Sequence, residues 1–132
     1  MDPSDVNVIL QALGKESLTR SRAWFPDAYR TPEDALLHVG MGIAGEAGEV
    51  IDEIKKMHAR GTLLTDPARI ENLKGEMCDL LIYLVSLGRM IDIDWLEWLR
   101  HTLEKCEGRW SHVEVVDALI KPFVRVDSRH DT

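Results

Sequence analysis

The sequence predicts an all-α fold: an antiparallel bundle of four main helices plus a short C-terminal piece, assembled into a homo-oligomer. Three observations give the class. Apolar residues recur at intervals of three and four along much of the 132-residue chain. Two segments open on strong helix-start signals, "TPED" from Thr31 and "DPAR" from Asp66. No Asn-Gly or Asp-Gly hairpin signal occurs, and the one alternating run, "FVRV", is too short to found a sheet.

Val6, Ile9, Leu10 and Leu13 share a helical face, so the first helix is expected over roughly residues 4 to 20. The stretch "RAWFPDAYRT" that follows reads as irregular. Thr31 then stands as N-cap, with Pro32 at the first helical position and Glu33 and Asp34 in the first turn, where the helix dipole favours acids. The stripe of this second helix runs Leu36, Gly40, Ile43, Ala47, Val50, Ile51 and Ile54, and it should stop at Gly61 after the basic turn of Lys55, Lys56 and Arg60. Asp66 and Pro67 open the third helix, with Ile70, Leu73, Met77, Leu80, Leu81, Leu84 and Leu87 as its stripe and a stop near Gly88. Asp94 and Glu97 form a capping-box pattern for a fourth helix, to about Trp110. Ser111 and Glu114 repeat that signal for a short final piece, which Pro122 interrupts before a polar end expected to fray.

A chain of this length is expected to form a single domain, residues 1 to 132. Its composition, 45% hydrophobic and 30% charged, is that of a folded protein. Sixteen basic against twenty-three acidic residues leave a net charge of -7, which argues against a nucleic-acid polymer as partner. The N-terminus lacks a basic region followed by an apolar segment, and nothing approaches a membrane span, so a cytoplasmic location without membrane contact is expected. Cys78 and Cys106 read as reduced core residues.

The chemistry lies in a repeated pattern. "GEAGEVIDEI" from Gly45 is echoed by "GEMCDLLIYL" from Gly75, each placing two acids three residues apart against an apolar run. On helical wheels Glu46, Glu49 and Glu53 flank the second helix's stripe, and Glu76 and Asp79 take the same offset on the third, with Tyr83 in line. The short connection "GTLLTDP" makes the two helices antiparallel neighbours, so four carboxylates can face one groove. Such a cluster calls for a neutralising cation, and oxygen ligands without His or Cys suit Mg²⁺, which completes its shell with water and substrate phosphates. The residues also allow a plainer account, the acidic border of two packed helices. Gly45, Gly48 and Gly75 are poor helix residues whose presence suggests close approach of another group.

"HVGMGIAGEAGEVIDEIKK" followed by "NLKGEMCDLLIYLVSLG" resembles the MazG-type all-α nucleoside triphosphate pyrophosphohydrolases, whose signature is E-x-x-E, a spacer, then E-x-x-D. The likeness spans about residues 28 to 110 and extends to the upstream "AYRT". It implies that Glu46, Glu49, Glu76 and Asp79 bind Mg²⁺, with Mn²⁺ as a substitute, and that Glu46 or Glu49 orients the catalytic water. A third acid often found between the first two is Ala47 here. The family's downstream substrate contacts fall on Lys105 and Arg109, while Thr102 occupies the position where the family tends to carry Asn. The implied reaction is hydrolysis of a ribo- or deoxyribonucleoside triphosphate to the monophosphate and pyrophosphate.

Lys56 is a further candidate for the phosphate tail, Trp24 or Phe25 for stacking on a base, and His38 for contact with a base or ribose. Each also has a structural reading, as solvated helix end, core staple or exposed side chain. Trp95 and Trp98 read as packing residues. The third helix is apolar nearly all round, with Cys78, Ile82 and Val85 opposite its leucines, so a homodimer or homotetramer is expected, as the resemblance also implies. Two rival functions are a helical interaction module without catalysis and a hydrolase of another diphosphate-linked nucleotide. A di-iron bundle is disfavoured, because no His stands three residues after any Glu.

Overall fold

Residues 2–62 and 64–107 are described by a computed structural model, and all their regular structure is helical, with no strand among them. α1 spans Pro3–Trp24, a 3-10 turn Pro26–Tyr29, α2 Pro32–Ala59, α3 Pro67–Met90 and α4 Trp95–Glu107. The proposed final piece after Ser111 lies outside the described residues, as does Trp110.

α1 runs four residues past its expected end. Pro26 sets the boundary: it forces Phe25 out of the helical region (φ -128°, ψ 60°), while the Phe25 N–H still closes the last turn on the Ser21 carbonyl at 2.8 Å. Most of the stretch expected to be irregular is therefore ordered, as the end of α1 and the 3-10 turn. α2 begins as its sequence dictates, the Thr31 hydroxyl accepting from the Asp34 N–H at 3.1 Å. α3 does the same through Asp66, whose carboxylate accepts from the Ala68 and Arg69 N–H groups.

The C-termini of α2 and α3 share one motif. After α2, Gly61 is left-handed (φ 66°), its N–H bonds back to the His58 carbonyl, and the Thr62 N–H reaches the Met57 carbonyl. After α3, Asp92 takes that place (φ 51°), with its N–H to the Arg89 carbonyl and the Ile93 N–H to the Gly88 carbonyl. Gly88 thus does not end α3. It is buried two residues earlier, where any side chain would collide with the Trp95 indole.

The chain divides into two compact units, the first ending at Trp95 and the second beginning at Leu96. In the first, α3 packs against both α1 and α2, around fully buried Val39, Met57 and Val85. Ser17 of α1 and Ser86 of α3 are hydrogen-bonded to each other in the interior at 2.8 Å. The N–H of Trp95 donates to Asn7 Oδ1 at 2.8 Å, tying the chain after α3 back to α1. In the second unit, Trp98 meets His101 edge-on, and Trp98, Leu99 and Leu103 are exposed on α4.

The faces turned inward differ from those the apolar stripes mark. On α2 the buried residues are Ala35, Val39, Glu53 and Met57, a row about 90° round the helix from the stripe. Leu36, Ile51 and Ile54 of the stripe are exposed. On α3, Val85, Ser86 and Gly88 are buried while Met77 and Leu81 are exposed. Both cysteines are free thiols as expected, but exposed rather than in the core.

Candidate metal and substrate site

The row that turns α2 inward carries the acids. Three contacts fix its register against α3: Tyr83 packs on Gly42, Glu46 comes to Asp79, and Glu53 meets Arg69. Residue numbers rise along one helix as they fall along the other, so the two are antiparallel. Gly42 is required, because a side chain there would occupy the volume of the Tyr83 ring.

At the middle of this seam Glu46, Glu76 and Asp79 each offer a carboxylate oxygen, and these three atoms lie within 4.8 Å of one another. Glu46 and Glu76 are half-buried and Asp79 is exposed. Glu49 stands outside that trio, exposed, yet near enough that its charge acts on Glu76. Partial burial, followed by the carboxylates of Glu49, Glu46, Asp79 and Glu53, pushes the Glu76 carboxyl above the usual glutamate range. Partial burial and the charges of Glu46 and Asp79, together with Tyr29, likewise raise the Tyr83 hydroxyl above the usual tyrosine range.

The donor set fits a hard divalent cation. It holds oxygen ligands alone, clustered closely enough to disfavour full ionisation unless a cation balances them. The seam changes character at each end. Beyond Glu49, the buried Glu53 carboxylate is bound by Arg69 from α3 at 3.2 and 3.4 Å, with the Lys56 ammonium 3.6 Å away and 2.6 Å from Asp52. Arg69 escaped the sequence reading. The available signal was its position seven residues, or two turns, before Glu76, on the same face of α3.

At the other end a cavity of about 570 Å³ opens between α1 and the seam, its walls including Ser17, Arg20 and Trp24 of α1 with Glu46, Asp79 and Tyr83. Trp24 thus reaches a cavity that two of the clustered acids share. His38 is not among its lining residues; its ring packs between Phe25 and Tyr29, with centroids 5.7 and 5.3 Å away. Lys105 is exposed on α4 in the second unit, and Arg109 lies outside the described residues. Gly45, Gly48 and Gly75 have open space where a side chain would project, with no group of the described residues within 4 Å of it.

Comparisons with known proteins follow the same segment. The model of the MazG nucleotide pyrophosphohydrolase domain matches residues 35–114, which include α3 whole and α2 from Ala35 onward. The Gene 37 protein of Mycobacterium phage L5 is 31% identical over 78 residues, covering 58% of this chain and 67% of the phage protein. No solved structure matches.

Proposed function

Because the chain belongs to the MazG nucleotide pyrophosphohydrolase family, hydrolases of nucleotide pyrophosphate bonds, we propose that it hydrolyses a ribo- or deoxyribonucleoside triphosphate to the monophosphate and pyrophosphate, with Mg²⁺, or Mn²⁺ in its place, as cofactor. The observation that carries this reading is the convergence of Glu46, Glu76 and Asp79 within 4.8 Å on the two motif helices.

These three carboxylates would hold the metal, which when bound polarises phosphoryl oxygens and makes water more acidic. Glu49, beside the trio but outside it, is the acid left to orient the attacking water and accept its proton, and we assign it that role over Glu46. The Tyr83 hydroxyl, on the cavity wall beside Glu46 and Asp79, would be available to donate to a substrate oxygen. The cavity would take the nucleoside, with Trp24 as the stacking face, and the phosphates would lie along the seam. Lys105 and Arg109 are the proposed contacts for the leaving pyrophosphate. Lys56 is engaged by Asp52 and Glu53, and has to leave that pairing to serve as another.

We also propose self-association as a homodimer or homotetramer, supported by the exposed apolar rows of α2 and α3. The decisive experiment is a screen of all common ribo- and deoxyribonucleoside triphosphates for metal-dependent pyrophosphate release. Turnover of at least one, lost on chelation, is expected. Turnover of none, by a protein whose melting temperature also ignores Mg²⁺, would favour the non-catalytic interaction module.

A further inference from the structure

We propose that Glu16 and Arg20 of α1 read the edge of the base and make guanine nucleotides the preferred ligands of the cavity. This rests on the proposed placement of the nucleoside there, and it concerns residues outside the 35–114 segment that the family model matches.

Both residues line the cavity that Glu46 and Asp79 share, so a nucleotide with its phosphates at the acids and its base in the cavity meets the α1 wall. They stand one turn apart on α1 and face each other at 2.6 Å, with side chains 59% and 64% exposed. An ion pair so exposed contributes little to stability, which leaves both groups available to a ligand at small cost. A guanidinium offers paired N–H donors and a carboxylate paired acceptor oxygens.

Guanine answers both groups. Its O6 and N7 accept side by side, the arrangement to which arginine binds in bidentate fashion, and its N1–H and 2-amino group donate side by side. Adenine, cytosine and uracil lack that pair of adjacent donors, so each leaves part of the carboxylate's capacity unused. The rest of the wall suits the purpose. Trp24 offers a flat face, and about 570 Å³ lies within the range of small-molecule sites. Buried Ser17, hydrogen-bonded to Ser86 of α3, anchors the α1 turn between Glu16 and Arg20 and so fixes where the two groups sit.

The test uses monophosphates, whose binding needs no turnover. Calorimetric titration of the full chain with guanosine and adenosine 5′-monophosphates in Mg²⁺ is expected to show guanosine monophosphate bound about tenfold or more tightly, the discrimination of one good bidentate contact. Glu16→Gln and Arg20→Ala should each weaken guanosine monophosphate binding by about that factor, leave adenosine monophosphate within about twofold, and melt as the parent does, since both side chains are exposed. Equal binding of the two monophosphates by the parent, binding of neither, or an unchanged preference in both variants would overturn the proposal. Absence of pyrophosphate release from every triphosphate bears on the proposed hydrolysis instead, and leaves monophosphate binding to decide this inference.

Discussion

Each acid of the cluster sits in a distinct environment, and its replacement by the amide should have a distinct effect. Glu46→Gln, Glu76→Gln and Asp79→Asn each weaken a ligand of the proposed metal. Pyrophosphate release and the Mg²⁺-induced rise in melting temperature should therefore disappear together. Glu49→Gln should abolish release while keeping most of the thermal rise, because Glu49 lies outside the trio. If Glu49→Gln loses both, Glu49 belongs among the ligands. Proton linkage gives an independent check. The raised Glu76 carboxyl holds its proton more tightly in the folded, metal-free protein than in the unfolded chain. That contribution to stability is complete below the ordinary glutamate value and is lost as pH rises through the raised one. In a chelator, the melting temperature of the parent should fall relative to Glu76→Gln as pH climbs through that window, and Mg²⁺ should cancel the fall. Parallel curves for the two proteins would remove the repulsion argument. The four acids were legible in the sequence because their pattern repeats, whereas Arg69, Glu16 and Arg20 were not. A single arginine among sixteen basic residues, or an i,i+4 ion pair on a helix, carries no signal until a cavity or a facing carboxylate gives it one.

Among the elements, helix starts were readable and helix ends only partly so. Thr31 and Asp66 act through their own side chains, and the sequence displays that directly. A left-handed C-terminal residue is readable when it is Gly61 and hidden when it is Asp92. Asp92→Gly should raise stability by about 0.5–1 kcal/mol in urea unfolding, since glycine takes that conformation without steric cost and the gain exceeds its extra chain entropy. A loss of stability would mean that the Asp92 side chain is itself needed at the turn. The seam between α2 and α3 depends on a less obvious tie. Glu53 is buried, and Arg69 binds it with two contacts from the other helix. Arg69→Ala leaves that charge with Lys56 alone at 3.6 Å and should destabilise by roughly 3 kcal/mol. Arg69→Ala combined with Glu53→Met should recover most of the loss, because the cost lies in the stranded carboxylate rather than in the missing attraction. Failure of the double variant to recover would assign Arg69 a packing role instead.

For the whole molecule, the inward face was misread for a physical reason that points beyond one chain. The largest apolar stripe of a helix ordinarily marks its buried side, yet α2 turns its carboxylate row toward α3 and leaves Leu36, Ile51 and Ile54 exposed at 48%, 56% and 41%. Met77 and Leu81 of α3 are exposed at 55% and 44%. On antiparallel helices, stripes offset about 90° in the same sense from the facing rows fall on the same side of the pair, so the two exposed stripes lie toward one side of it. Gly40 and Gly48 add open backbone to α2, with nothing of the described residues within 4 Å of the place of a side chain. The proposed second copy, bringing the same surface, would satisfy it with two-fold symmetry, each stripe packing against the other. Val85 is fully buried within its own chain and Ile82 lines the cavity, so charging either tests folding or substrate binding rather than assembly. The informative changes are Leu81→Lys and Ile51→Lys, each of which places a charge on the exposed surface. Light scattering should give the parent a mass at least twice that of the 15.0 kDa chain, and each variant the mass of one chain, with helical circular dichroism retained. Unless α2 and α3 hold together without their partner, helicity will be lost along with mass, and the bundle is then an obligate oligomer. A parent of one chain's mass would leave the apolar surface without its proposed occupant.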